Sequence, residues 1–226
     1  MIPEQKYSVI IVAGGKGLRA GGGEPKQFQL IGDKPMLIHT IGAFHRANHR
    51  IRIIIVLPEG FQKYWEDLCE KHKFDIAHTV VQGGETRFHS VKNGLMKVSE
   101  EETVGIHDAA RPFVSEKLIN TCFKTSFSNN CGVIPVAEQK NSIRLLTENG
   151  SKIIDRNLLK IVQTPQVFPA GELKKAYETP FDETFTDDAS VFEKLGMKIV
   201  LVEGEDKNIK ITSAFDLQIA ELFLKK

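Results

Sequence analysis

The chain has 226 residues, of which 30 are lysine or arginine and 29 are aspartate or glutamate, so its formal net charge is +1. This length suits one α/β domain with a substantial core, and the near-neutral charge gives no electrostatic reason to expect binding to nucleic acid or to an anionic membrane. The N-terminus lacks a long apolar run, and the three cysteines lack metal-type spacing. We therefore expect residues 1–226 to form a single cytoplasmic domain with reduced thiols and neither signal peptide nor membrane anchor.

The first predicted element is a short buried strand, Ser8–Ala13, which delivers a glycine-rich loop. Three glycines of this loop allow close backbone approach, so that successive N–H groups can face phosphate oxygens: Gly14, Gly15 and Gly17. Arg19 and Lys26 add two cations. The spacing is neither that of a P-loop nor that of the dinucleotide fingerprint, and a glycine loop after a strand is also typical of a simple tight turn. The two cations favour a loop that binds a nucleoside triphosphate.

Strands and helices then alternate along the chain. Further strands are predicted at Ile51–Leu57, Ile76–Val81, Thr103–His107 and Gly132–Val136, and helices at 35–47, 60–72, 86–98 and 115–127. This alternation predicts a Rossmann-like α/β fold, with a mostly parallel, twisted sheet and helices on both faces. Ligands of such sheets bind beyond the carboxyl ends of the strands, where the glycine loop, Gly83-Gly84 and His107-Asp108 all fall.

The segment Gly105–Val114, GIHDAARPFV, is a second candidate site. Asp108 follows a buried strand and is placed to bind Mg²⁺ together with phosphate oxygens. Arg111 can pair with a second phosphate. The alternative is structural, with Asp108 capping a turn and Arg111 as its ion partner. His107, at the strand end, is more typical of a local hydrogen bond than of a catalytic base.

The alternation of predicted strands and helices is interrupted between Glu138 and Arg156. β-like residues at 142–147 and 152–155 flank Asn149-Gly150, which is a strong hairpin signal. Beyond it we predict a strand at 162–169, helices at 171–178 and 187–195, a strand at 198–202 and a final helix capped by Ser213. Asp187 and Asp188 resemble a metal pair, but carboxylates at a helix start more often cap the helix.

Several motifs together resemble the 2-C-methyl-D-erythritol 4-phosphate cytidylyltransferase family, in the family's order and across almost the whole chain. They are AGGKGLR with PKQF, GGETRFHSV at 83–91, HDAARPF, DRN at 155–157, QTPQVF at 163–168, TDDAS at 186–190 and VEGEDKNIKIT at 202–212. Ribitol 5-phosphate cytidylyltransferases share several of these motifs and are the alternative. The pattern from Arg87 to Val91 and the DRN motif are more similar to the erythritol enzymes.

The resemblance implies transfer of the cytidylyl group of CTP to a polyol phosphate, with Mg²⁺ held by Asp108. Catalytic roles are implied for Arg19, Lys26, Asp108 and Lys210, and nucleotide contacts for Ala13, Gly14, Gly15, Gly17, Gly83, Glu85, Ser90 and Ala109. Among these, Gly83, Glu85 and Ser90 would read the cytosine edge. Arg111, Arg156 and Thr164 would bind the sugar phosphate.

One departure concerns the family's P-V-x-D-T-x-K pattern, because this chain reads PVAEQKNSIR at Pro135–Arg144. Either Gln139 replaces the family threonine, or a short insertion makes Ser142 the equivalent hydroxyl. We favour Ser142, because Arg144 then supplies a cation two residues later.

The hairpin has no obvious surface within its own chain, and isolated hairpins are marginal in water. We therefore predict that residues 138–157, here called the arm, cross to a second subunit of a homodimer and bring Arg156 to the neighbouring site.

Two other classes of protein provide alternatives. A glycosyltransferase with a related nucleotide fold would be expected to carry a D-x-D metal motif, which HDAA at 107–110 is not. A nucleotide-sensing module without activity would keep the glycine loop but lose charge at the transfer centre, whereas Arg19, Lys26, Asp108 and Lys210 are all present.

Overall fold

The computed structural model describes residues 6–14 and 25–224 of the chain. Its strands are β1 (Tyr7–Val12), β2 (Leu30–Ile31), β3 (Lys34–Pro35), β4 (Arg52–Leu57), β5 (Thr79–Gln82), β6 (Thr103–Asp108), β7 (Gly132–Glu138), β8 (Ile143–Thr147), β9 (Gly150–Ile154), β10 (Lys160–Val162), β11 (Gln166–Pro169) and β12 (Ile199–Glu203). Its α-helices are α1 (Met36–Ala47), α2 (Gln62–Lys71), α3 (Arg87–Leu95), α4 (Glu116–Asn129), α5 (Ala170–Ala176), α6 (Asp188–Glu193) and α7 (Ala214–Leu224).

The central sheet has the strand order β10-β7-β11-β6-β1-β4-β5, and β12 also pairs with β7. Strands β6, β1, β4 and β5 are parallel neighbours, and β12 is parallel to β7. Strands β10 and β11 are antiparallel to their partners. The predicted mostly parallel α/β sheet with flanking helices is confirmed.

Apolar side chains cover both faces of this sheet. In β1, Val9 and Ile11 join a cluster with α1, α2 and α4, whereas Ile10 joins a second cluster with α3, α5 and α6. Burial on both faces explains why the strand reads as a continuous β-branched run rather than as an alternating pattern.

Two predicted strands differ in the structure. Only the ends of the predicted strand 162–169 lie in strands, with Val162 at the end of β10 and Gln166–Pro169 forming β11, because Pro165 between them has no N–H to donate to the ladder. The third strand of the sheet is Thr79–Gln82, whereas we predicted Ile76–Val81. The carbonyl oxygen of Ile76 instead lies 2.7 Å from Nδ1 of His78, in the loop before the strand.

The predicted hairpin is confirmed as β8 and β9, which form a two-stranded sheet of their own. The turn residues are Glu148 and Asn149, one position earlier than predicted, and Gly150 opens β9 with a φ of +136°. Leu146 and Ile153 are 82% and 80% exposed on this hairpin.

The structure also bears on the predicted thiols and on the absence of a predicted membrane anchor. Cys122 and Cys131 are buried, Cys69 is half-buried, and all three are free thiols. Across residues 6–14 and 25–224, no helix combines the length and the apolar character needed to cross a membrane.

Candidate active site

The carboxyl ends of β1, β4, β5 and β6 meet at one edge of the sheet. Backbone hydrogen bonds continue past the strands, from Ala13 N–H to Val56 O at 2.9 Å and from Ala109 N–H to Val12 O at 3.1 Å. A cavity of about 610 Å³ opens at this edge. It is lined by nine of the predicted site residues: Ala13, Gly14, Lys26, Gly83, Glu85, Ser90, Asp108, Ala109 and Lys210.

The loops of Gly14 and of Gly83-Gly84 come close together at Ser90, which is buried on α3. Its Oγ donates to Thr86 O at 2.9 Å and accepts from Gly84 N–H at 3.1 Å. A Cβ atom added to Gly14 would lie 2.9 Å from Ser90 Oγ, and one added to Gly83 would lie 3.1 Å from it. These positions require glycine because of close approach, and the result is a narrow pocket with an exposed Glu85 at its wall.

Two lysines from distant parts of the chain reach the same cavity. Lys26 begins a short 3₁₀ turn, and its Nζ donates to Ile211 O at 3.3 Å. The neighbouring Gln27 donates from Nε2 to Ala13 O at 2.7 Å, which ties this turn to the end of β1. Lys210 is held by the adjacent backbone bond from Ile211 N–H to Ala110 O at 2.8 Å.

Asp108 is the buried carboxylate of the site and has three cationic neighbours. Its Oδ2 lies 3.0 Å from Lys210 Nζ and 3.3 Å from Arg111 Nε, and its Oδ1 lies 3.7 Å from Arg87 Nε. Burial alone would raise the pKa of Asp108, but Arg87, Lys210 and Arg111 outweigh burial and hold the pKa below its ordinary value. Asp108 is therefore an ionised carboxylate at neutral pH.

The surroundings of Asp108 limit how a metal could bind. Mg²⁺ in proteins takes one or two carboxylates and completes its shell with waters and phosphate oxygens. In the part of the chain that the structure describes, no group of three or more His, Cys, Asp or Glu side chains could hold a metal. The residues present fit a Mg²⁺ ion that brings phosphate oxygens with it, because a single carboxylate beside three cations would not hold the free ion.

Arg111 and Thr164, predicted to bind the sugar phosphate, are buried beside Asp108. Besides its contact with Asp108, Arg111 donates from Nη1 to Asn208 O at 2.8 Å. Thr164 Oγ1 accepts from the Asp108 N–H at 3.1 Å and lies 2.9 Å from Nδ1 of His107. The prediction that His107 makes local hydrogen bonds is confirmed, since its Nε2 lies 3.0 Å from Arg111 O.

Arg156 lies at a different cavity, of about 320 Å³, at the base of the arm. Its Nη1 donates to Lys140 O at 2.8 Å. Gln139 also lines this cavity, and its Oε1 accepts from Asn141 N–H at 2.9 Å. Ser142 is exposed just before β8 and lines neither this cavity nor the cavity of Asp108. Within one chain, therefore, Arg156 does not share the cavity of Asp108.

Three predicted site residues lie outside the described residues, so the structure gives no position for them: Gly15, Gly17 and Arg19.

An ion-pair network that sequence reasoning missed also borders the cavity. Arg87, at the start of α3, donates from Nη1 and Nη2 to Asp188 at 2.9 and 2.6 Å, and Tyr177 Oη donates to the same carboxylate at 2.7 Å. Asp187 caps α6, as predicted, whereas Asp188 points inward and is fully buried. The signal was present as Arg87 in GGETRFHSV and Asp188 in TDDAS, but the pairing of these motifs depends on the fold.

The family model of 2-C-methyl-D-erythritol 4-phosphate cytidylyltransferase matches residues 7–226. A protein of that name from Bacteroides fragilis is 54% identical over 217 residues, covering 96% of this chain and 99% of its own. One from Porphyromonas gingivalis is 43% identical over 222 residues, covering 98% and 99%.

Solved structures agree with these sequence matches. The 4-diphosphocytidyl-2C-methyl-D-erythritol synthase of Anaerococcus prevotii superposes with a TM-score of 0.82 at 28% identity, covering 98% of this chain and 99% of that chain. The 2-C-methyl-D-erythritol 4-phosphate cytidylyltransferase of Thermus thermophilus superposes with a TM-score of 0.78 at 26% identity, covering 98% and 100%.

Proposed function

The chain belongs to the 2-C-methyl-D-erythritol 4-phosphate cytidylyltransferase family, and from that premise we propose the reaction and the roles of its residues. The protein is a nucleotidyltransferase of non-mevalonate isoprenoid synthesis. It joins CTP and 2-C-methyl-D-erythritol 4-phosphate to give 4-diphosphocytidyl-2-C-methyl-D-erythritol and pyrophosphate. Ribitol 5-phosphate is not favoured as the acceptor, because the matching family model and the relatives described above all carry the erythritol name.

The observation that supports this reaction is one cavity that joins a narrow pocket to a cationic centre. The pocket formed by Gly14, Gly83 and Ser90 suits a pyrimidine. It is too narrow for a larger base, and a few hydrogen bonds are enough to select a pyrimidine. Lys26 and Lys210 stand in the same cavity, where the phosphates would lie.

The transfer needs positioning and charge neutralisation more than proton transfer. An oxygen of the acceptor phosphate forms a bond to the α-phosphorus of CTP, and the bond from that phosphorus to the bridging oxygen of pyrophosphate breaks. The attacking oxygen is already ionised, so no general base is required. Lys26, Lys210 and Arg19 would neutralise the charge that develops on the α-phosphoryl and leaving groups.

Asp108 would hold a Mg²⁺ ion that enters with the triphosphate. Bound there, the ion supplies further neutralisation of phosphate charge. The three cations around Asp108 fit this order of binding. Calorimetric titration should show tight Mg²⁺ binding with a CTP-loaded protein and none at the same concentration without nucleotide; equal binding in both samples would contradict this role of Asp108.

Residues of the arm would supply contacts to the acceptor. Ser142 and Arg156 would contact the sugar phosphate, and Arg111 and Thr164 lie buried beside Asp108. Because Arg156 and Asp108 line different cavities of one chain, the proposal requires a homodimer in which the arm of each subunit reaches the other. Residues 1–226 would form one domain, active in the cytoplasm.

The test is a pyrophosphate-release assay with CTP, UTP, ATP and GTP against two acceptors. Methylerythritol phosphate with CTP and Mg²⁺ should give the fastest release, and ribitol 5-phosphate should give little. Faster turnover with another nucleotide would reject the cytosine pocket, and faster turnover with ribitol 5-phosphate would reject the acceptor.

A further inference from the structure

A fully buried histidine directly precedes Asp108 and has no part in the proposed chemistry. The ring of His107 packs at a steep angle against Phe44, with ring centroids 4.8 Å apart, and it does not line the nucleotide cavity. Both ring nitrogens nevertheless contact residues of the site. Nδ1 lies 2.9 Å from Thr164 Oγ1, and Nε2 lies 3.0 Å from the carbonyl oxygen of Arg111.

The partners of the ring decide which nitrogen carries the hydrogen. A carbonyl oxygen can only accept, so Nε2 must be the donor to Arg111. The ring is fully buried, where a charged imidazolium would be costly, and Nδ1 lies 2.9 Å from a Thr164 hydroxyl whose hydrogen needs an acceptor, so Nδ1 carries no hydrogen. Nδ1 then accepts the hydrogen of the Thr164 hydroxyl, whose oxygen in turn accepts from Asp108 N–H at 3.1 Å.

We propose that His107, as the neutral Nε2–H tautomer, is a positioning residue that fixes Thr164, Asp108 and Arg111 relative to one another. The hydrogen bonds form one directed chain, from Asp108 N–H through the Thr164 hydroxyl and the imidazole to the Arg111 carbonyl. This chain joins β6, the turn after it and the segment before β11. It also leaves the Thr164 oxygen able to meet a substrate hydroxyl only as an acceptor. The consequence for turnover rests on the proposed cytidylyl transfer.

The tautomer is tested without any substrate. In protein labelled with ¹⁵N in its seven histidine rings, the His107 signal is identified by its loss in His107→Gln or, if that variant does not fold, by its shift in Thr164→Val. Long-range ¹H–¹⁵N spectra near pH 7 should show a neutral ring with the hydrogen on Nε2. A ring protonated on Nδ1, or on both nitrogens, would overturn the proposal.

Kinetics test the positioning role. Thr164→Val and His107→Gln should each lower kcat by roughly 10- to 100-fold, the scale expected when reacting groups are misplaced, with CTP affinity changed less than about threefold. Thr164→Ser, which keeps the hydroxyl, should recover at least about tenfold of the loss in Thr164→Val. The double variant should be no slower than about the poorer single variant, because both changes break one chain.

His39 provides a matched control, because its Nε2 also lies near a backbone carbonyl, Ile31 O at 2.9 Å, away from the cavity. His39→Gln should keep wild-type kcat. Additive losses in the double variant, or normal kcat in Thr164→Val, would overturn the positioning role. If wild-type protein released no pyrophosphate from CTP, the proposed function would fail, while the tautomer measurement would still decide the hydrogen-bond chain.

Discussion

At the scale of single residues, Lys26 provides the most direct test of charge neutralisation. Lys26→Ala should reduce turnover by roughly 100-fold or more, the scale for losing a positioned donor to the transition state, and Arg19→Ala should do the same. Steady-state kinetics with CTP and methylerythritol phosphate measure this. Lys124→Ala, an exposed lysine of α4, serves as the control and should keep normal turnover. Near-normal turnover in both loop variants would place the transfer centre elsewhere.

Gly14 provides a test of the close approach to Ser90. The new Cβ of Gly14→Ala would lie 2.9 Å from Ser90 Oγ, so the variant should lose about 1–3 kcal/mol of unfolding free energy through overpacking. Ser90→Ala removes that oxygen and leaves Ser90 Cβ at 3.5 Å, an ordinary contact. In urea unfolding, the double variant should therefore lose less than the sum of the single losses. Strict additivity would show that the substituted Gly14 does not press on Ser90 Oγ.

The sequence identified these residues because each carries a local chemical signal. Glycines after a strand, a carboxylate at a strand end and a lysine in NIKIT are visible in the chain alone. The partners of Asp108 were not visible, because the distances from Arg87 and Lys210 to its carboxylate depend on how β6, α3 and the segment before α7 pack. The structure also brings Gln139, and not Ser142, to the cavity of Arg156, while the substrate contact of Ser142 stays a prediction.

At the scale of elements, α3 and α6 are joined by the buried pair of Arg87 and Asp188. Asp188→Asn removes the two short hydrogen bonds to Arg87 and leaves it only the more distant Asp108, 3.7 Å away, so urea unfolding should show a loss of about 3 kcal/mol. The control is Asp67→Asn, which breaks an exposed pair on α2 with Lys63 at 2.9 Å and should leave stability nearly unchanged, because solvent screens such pairs. Equal losses in the two variants would show that burial does not set the strength of the inner pair.

Helix α1 carries a histidine that makes stability depend on pH. Burial is the main cause that lowers the pKa of His39, and the Ile31 carbonyl opposes it in part. The unfolded chain, with a histidine pKa of about 6.5, then binds this proton more readily than the folded protein does. The contribution of neutral His39 to stability is complete above that value and declines as pH falls through the lowered pKa.

Urea midpoints at pH 7.5 and 5.5 measure this effect. Wild-type protein should lose more stability over this interval than His39→Gln, which keeps an N–H for the Ile31 carbonyl but cannot titrate. The other histidines contribute equally to both proteins, so the difference reports His39. A larger loss in the variant would reverse the sign and contradict a half-buried, neutral His39 ring.

Element types were predicted better than element limits. The buried strands and the four helices up to residue 129 follow from apolar runs and capping residues, such as Ser115, whose Oγ accepts from Leu118 N–H at 3.0 Å. The division into β10 and β11 was missed because the apolar residues on both sides of Pro165 were interpreted as one strand, although proline cannot donate to the ladder. The hairpin turn moved by one residue because the ladder pairs Thr147 with Gly150.

At the scale of the whole molecule, the sheet places the candidate nucleotide cavity at one edge and leaves an apolar surface at the arm. Leu146 and Ile153 on the arm, and Leu158 directly after it, are each 80% or more exposed. Burying such side chains contributes about 1.5–3 kcal/mol each, which a second subunit could provide. This exposure, together with the separate cavities of Arg156 and Asp108, supports a two-fold dimer in which each arm completes the other site.

Mixed dimers decide whether Arg156 acts across that interface. Arg156→Ala and Asp108→Ala subunits should each be inactive alone. In a mixed dimer, one site combines the intact Asp108 of the first subunit with the intact Arg156 of the second, while the other site lacks both. With random exchange, half of the dimers are mixed and half of their sites work, so activity should recover to about a quarter of wild type.

The control mixture pairs Lys26→Ala with Asp108→Ala subunits. Both residues line the same cavity of one chain, so every site in those mixed dimers keeps one defect and no activity should return. Mass in solution must show a dimer in each sample. A fully active monomer, or no recovery in verified dimers of Arg156→Ala with Asp108→Ala, would exclude a role of Arg156 across the interface, because only such a role lets two defective subunits build one intact site.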